Sequence, residues 1–90
     1  GGVNAHFNLG VLLHTVRQDY DGAEFHFRRA IELGNVNAHY RLAYLFYSTN
    51  RNLDEAVQPA RKFIKLNPSD PDGPNLLKDI LTKLVAQRRS

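Results

Sequence analysis

Asn4-Ala5-His6-Phe7-Asn8-Leu9-Gly10 and Asn37-Ala38-His39-Tyr40-Arg41-Leu42-Ala43 are one phrase written twice, 33 residues apart. The same shift aligns Asp21 with Asp54, Ala23 with Ala56, Arg28 with Arg61, Ile31 with Ile64 and Leu33 with Leu66. Over residues 4–34 it gives 10 identities in 31 positions without a gap. Register is kept through both halves of the unit, so the chain is a tandem repeat. Such repeats stack, each covering its neighbour's apolar face.

Each unit reads as two helices. Residues 4–16 set His6, Leu9, Gly10 and Leu13 on one stripe at helical spacing, with Ala5, Leu12 and Val16 beside it. Arg17-Gln18-Asp19-Tyr20-Asp21 is a polar turn in which Asp19 or Asp21 can cap the next helix. Ala23, Phe27, Ala30 and Ile31 form that helix's stripe, closed by Gly34, a residue suited to the left-handed conformation at a helix end. The second unit repeats the plan: a helix over 37–49, the polar turn Asn50-Arg51-Asn52, and a helix over 54–66. Gly10, Ala23, Ala43 and Ala56 are the small residues where helices approach most closely. If Asp54 caps the fourth helix, Pro59 lies just past its first turn, and a small kink or a later start follows. Asn67-Pro68-Ser69-Asp70-Pro71-Asp72-Gly73-Pro74 stops the pattern. A fifth helix over 73–88 then carries Leu77, Ile80, Leu81, Leu84 and Val85, either capping the array or opening a third unit.

The chain is the size of one domain or of a fragment of a longer array, and 42% hydrophobic residues allow only a modest core. With no cysteine, disulfides and cysteine-based zinc sites are excluded, and a reducing intracellular, cytoplasmic compartment is the expectation. No apolar run approaches a membrane span. Gly1-Gly2, in a chain without methionine, reads as a cloning remnant. Residues 1–55 carry five basic and six acidic side chains; residues 56–90 carry seven and three, so the net charge of +3 sits in the second part.

Asn8-Leu9-Gly10, Asp19-Tyr20-Asp21-Gly22-Ala23 and Arg29-Ala30-Ile31-Glu32-Leu33 resemble the small-residue, turn and second-helix signatures of the tetratricopeptide repeat family. Leu66-Asn67-Pro68 resembles its closing proline, and the resemblance runs from Asn4 to Leu84. There are departures. The turn inside each unit is one residue longer than usual, and the junction from Glu32 to Ala38 is shorter, lacks proline and is similar to the Sel-like repeats. His6 and His39 replace the family's bulky aromatic near the start of the first helix. The resemblance implies an all-α, right-handed α-α superhelix forming a single domain over 3–88. Its parts are repeat one over 3–35, repeat two over 36–68 and a capping helix over 73–88.

The resemblance further implies a concave surface, lined by the first helix of each pair, that binds a peptide or helix of a partner protein. The groove positions are Asn4, Phe7, Val11, His14 and Thr15, then Asn37, Tyr40, Tyr44, Tyr47 and Ser48. On the fifth helix they are Asn75, Asp79, Thr82 and Lys83. Tyrosines suit such a surface, with large area, few rotors and a polar tip. The competing reading has Phe7, Tyr40, Tyr44 and Tyr47 filling the core. Chaperone-binding members grip a C-terminal carboxylate with lysine, asparagine and arginine. Here the matching places hold Phe7, Val11, Arg41 and Asn75 to Asp79, and Arg41 alone makes no clamp.

No glycine-rich phosphate loop, nucleophile motif or metal-ligand spacing is present, so no catalytic residue, cofactor or metal is expected. His6 and His39 are repeat-equivalent and therefore a helix pair apart rather than on one ion. Asp19 with Asp21 reads as turn chemistry. Two alternatives stay open. A truncated array exposes apolar ends that can pair into a homodimer. The stretch Arg61, Lys62, Lys65, Lys78, Lys83, Arg88 and Arg89 can bind RNA or an acidic surface, though no aromatics are interleaved with it.

Overall fold

Two-helix units require that the chain reverse cleanly between helices, and the computed structural model, which describes residues 2–89 and side chains from residue 4 on, shows how it does so. Helices run α1 (Gly2–Leu12), α2 (Tyr20–Glu32), α3 (Asn37–Thr49), α4 (Val57–Leu66) and α5 (Asp72–Arg89), and no strand occurs among the described residues. Of the expected cloning remnant, Gly1 lies outside the described residues and Gly2 opens α1.

The first reversal differs from expectation. The surplus residue does not lengthen the turn but widens the helix: Leu13–Arg17 is π-helical, with the N–H groups of Gln18 and Asp19 both donating to the Leu13 carbonyl. Gln18 is left-handed (φ 55°), and Asp19 caps α2 by accepting the Gly22 N–H at 3.0 Å. The second unit meets the same period differently. Asn50 and Asn52 both take left-handed φ, which asparagine tolerates, and a 3-10 turn over Leu53–Ala56 leads into α4. Asp54 therefore lies inside that turn and caps nothing. Helix α4 starts late, so Pro59 is its third residue, where the N–H has no intrahelical acceptor to lose.

Between the units the chain makes a Schellman turn. Gly34 (φ 95°) donates to Ile31 at 3.0 Å and Asn35 to Ala30 at 2.9 Å; the Asn35 side chain then accepts the Ala38 N–H at 3.0 Å, starting α3.

Each helix packs on the next in the chain, giving a slab of 44 × 30 × 17 Å. The expected small residues mark the close approaches: Ala23, Ala43 and Ala56 are fully buried, and a Cβ on Gly10 would lie 2.7 Å from the Phe27 ring. One exchange between the units matters below. Phe27 and Ala30 of α2 become Ala60 and Phe63 in α4, so the aromatic ring moves along the helix by one turn, with all four residues buried.

The burial of α1 departs from the expected stripe. Leu9, Leu12 and Val16 are 40%, 43% and 70% exposed, whereas Gly10 and His14 are buried, with Phe7, Val11 and Leu13 partly so. The matching Leu42 and Leu45 of α3 are 3% and 2% exposed, and Thr49, matching Val16, is half-buried. Helix α3 packs on both α2 and α4, while α1 packs chiefly on α2. On α5 the buried residues are Gly73, Leu76 and Ile80, with Leu77 and Leu84 packed on the core and Leu81 and Val85 exposed.

Candidate functional site

Helical spacing lines Tyr40, Tyr44 and Tyr47 along α3, and in the folded chain their rings form a continuous row. Tyr40 and Tyr44 stack with centroids 6.4 Å apart and planes inclined by 5°; Tyr44 and Tyr47 follow at 6.5 Å. Tyr44 is the exposed member, at 37%. Tyr40 and Tyr47 are half-buried and lean on the core, so the groove and core readings of these two both describe part of their surface. No hydrogen bond from any of the three hydroxyls to the protein occurs among the described residues.

The π-helical turn after α1 borders the row with His14, which is buried, a floor residue rather than an open contact. Its ring lies 5.9 Å from those of both Tyr44 and Tyr20. His14 Nε2 and Ser48 Oγ are hydrogen-bonded at 3.1 Å, and the Ser48 hydroxyl also lies 3.4 Å from the Leu45 carbonyl. Nδ1 is buried without a partner among the described residues. Burial, and then the charge of Arg41, hold the His14 pKa below its ordinary value, since protonation would set a second N–H in a dry site. Helix α5 closes the other end. Lys83 lies 4.7 Å from the Tyr47 ring centre and donates to the Tyr47 carbonyl at 3.0 Å, while Gln87 donates to Asn50 Oδ1 at 2.8 Å. Lys83 thus lies beside the tyrosine row, at its Tyr47 end.

At the N-terminal end of α3 the surface deepens into a cavity of about 240 Å³. Phe7, Asn37 and Tyr40, three expected groove residues, line it together with Arg41. So do Phe63, whose ring is 5.3 Å from Tyr40, and the carboxylates of Asp70 and Asp72. Burial first, then Asp72, push the Tyr40 hydroxyl's pKa up; Arg41 opposes this, and Tyr44 and Asp70 add to it. Of the other expected positions, Val11 packs on the core, while Asn4, Asn75 and Asp79 are exposed and are not among the cavity's lining residues.

Phe63, Asp70 and Asp72 escaped the sequence reading. A signal for Asp70 was present: carried one period further, the 33-residue shift takes Asn4 and Asn37 to Asp70. Phe63 had none, because its partner position in the first unit is Ala30.

Two of the histidines meet across α1 and α2. His6 stacks on His26 of α2, with Nδ1 atoms 3.0 Å apart and centroids at 5.2 Å. No group of three or more metal-ligating side chains occurs among the described residues. Nor is any described helix long and apolar enough to cross a membrane. No family model matches the chain, and no curated protein matches it.

Proposed function

We propose that this chain is a non-enzymatic protein-interaction module of the tetratricopeptide kind, holding a peptide or helix of a partner in the groove made by α1, α3 and α5. The observation that carries the reading is the tyrosine row of α3. A stacked aromatic surface with unengaged hydroxyls costs little entropy to fix on binding and offers both apolar area and hydrogen bonds. Lys83 and the carboxylates at the cavity supply charge at the two ends of the row.

The test is a partner titrated against wild type, Tyr44→Ala and Tyr40→Ala/Tyr44→Ala. Tyr44 makes the cleaner probe, since Tyr40 also packs on Phe63. Losing an interface tyrosine should weaken binding by about tenfold or more, with the far-UV circular dichroism unchanged. Equal affinity for all three proteins removes the groove as the binding surface.

A second reading, self-assembly, is favoured by one feature. Ala5, Leu9, Leu12 and Val16 form an exposed stripe on α1. Sedimentation across a concentration series separates the two, because a peptide receptor stays monomeric.

A further inference from the structure

We infer that the cavity at the N-terminal end of α3 is the subsite for one basic side chain, lysine or arginine, of a peptide lying in the groove. This rests on the groove reading and adds its chemistry. The lining sets the aromatic residues Phe7, Tyr40 and Phe63 against the acidic residues Asp70 and Asp72, with Asn37 and Arg41 beside them. An aliphatic anchor would cover the carboxylates and leave them without a partner, and an acidic anchor would meet like charge. A cation satisfies both walls, its stem on the rings and its head on the carboxylates.

Arg41 does not already fill this role. The ion pairs among the described residues are Arg28–Glu24, Arg29–Glu32 and Arg51–Asp21, and none involves Arg41, Asp70 or Asp72. Two carboxylates against one guanidinium leave the wall with a net charge of −1. Burial is the larger cause of the raised Tyr40 pKa, and among the charges Asp72 outweighs Arg41 at the hydroxyl, with Tyr44 and Asp70 adding to it. Asp70 is also held in place, since its Oδ1 accepts the Asp72 N–H at 2.9 Å. A volume of about 240 Å³ is smaller than the roughly 300–1,000 Å³ of small-molecule sites and matches a single side chain.

A random-peptide library selected on the whole chain tests this, with Tyr44→Ala and Asp70→Asn/Asp72→Asn proteins selected in parallel. Asparagine keeps the Oδ1 acceptor for the Asp72 N–H, so the loop is preserved. Wild type should enrich peptides with lysine or arginine at one fixed position. Replacing that residue by norleucine should weaken binding about tenfold on wild type and far less on the double variant. Peptides that depend on Tyr44 but show no basic position, or a basic preference unaltered by the double variant, overturn the subsite and leave the groove standing. If no peptide is enriched on wild type, the groove falls and the subsite with it.

Discussion

Leu9 and Leu42 occupy the same place in the repeat, yet truncating each to alanine should have very different consequences. Leu42 is 3% exposed and belongs to the buried cluster with Ala23 and Phe27 of α2 and Ala60 of α4, so Leu42→Ala removes packing where three helices meet. Such losses cost about 2–5 kcal/mol, and about 3 is expected here. Leu9 is 40% exposed on the outer side of α1. Three carbons at about 0.8 kcal/mol each, scaled to the buried part, amount to about 1.4 kcal/mol. Water fills the space, so no cavity term is added, and alanine's better helix propensity returns a few tenths of a kcal/mol. Leu9→Ala should therefore cost about 1 kcal/mol. Urea unfolding followed by circular dichroism, with the same slope for all proteins, measures the difference of about 2 kcal/mol. Equal costs for the two would refute the reasoning. They would mean that the outer face of α1 is covered in solution, and dependence on protein concentration would then identify a second copy as the cover.

Gly10→Ala tests the closest approach between α1 and α2. The new methyl would sit 2.7 Å from a ring that cannot retreat, because Phe27 is fully buried. Overpacking of about 1–3 kcal/mol outweighs the gain of up to about 1 kcal/mol in helix propensity, so the melting temperature should fall by several degrees; a stabilised variant contradicts the packing. The pH dependence follows from His14 and His39. Both have pKa values lowered from 6.5, first by burial and then by a neighbouring cation, Arg41 for His14 and Lys62 for His39. The unfolded chain thus takes up protons that the folded chain resists. Stability is full above 6.5, declines as the pH falls from there through the folded-state pKa values, and levels off below them. Replacing His14 by glutamine should flatten that decline when unfolding free energy is measured across the range; an unchanged slope would remove His14 from the account.

The local plan of the fold was legible because each signal acts within a few residues. Asp19 capped α2, Gly34 took the left-handed turn, and the 37–49 helix has the expected ends. The tyrosine row of α3 was legible too, since helical spacing alone puts Tyr40, Tyr44 and Tyr47 in line. The π-helical turn was not, for nothing in Leu13–Arg17 distinguishes a widened helix from an ordinary one followed by a longer turn. The late start of α4 was one of the two outcomes that Pro59 allowed, whereas the 3-10 turn in place of an Asp54 cap was not legible.

By itself, then, the sequence determined the repeat, the five helices and the aromatic face of α3, because periodicity and capping are properties of contiguous residues. Tertiary structure decided which copies of the repeated residues are covered. It buried Leu42 and exposed Leu9, and it drew Phe7, Tyr40, Phe63, Asp70 and Asp72 around one cavity from four separate parts of the chain. Burial is set by neighbours in space: α3 packs on both α2 and α4, whereas α1 packs chiefly on α2, so equivalent residues of the repeat meet different surroundings.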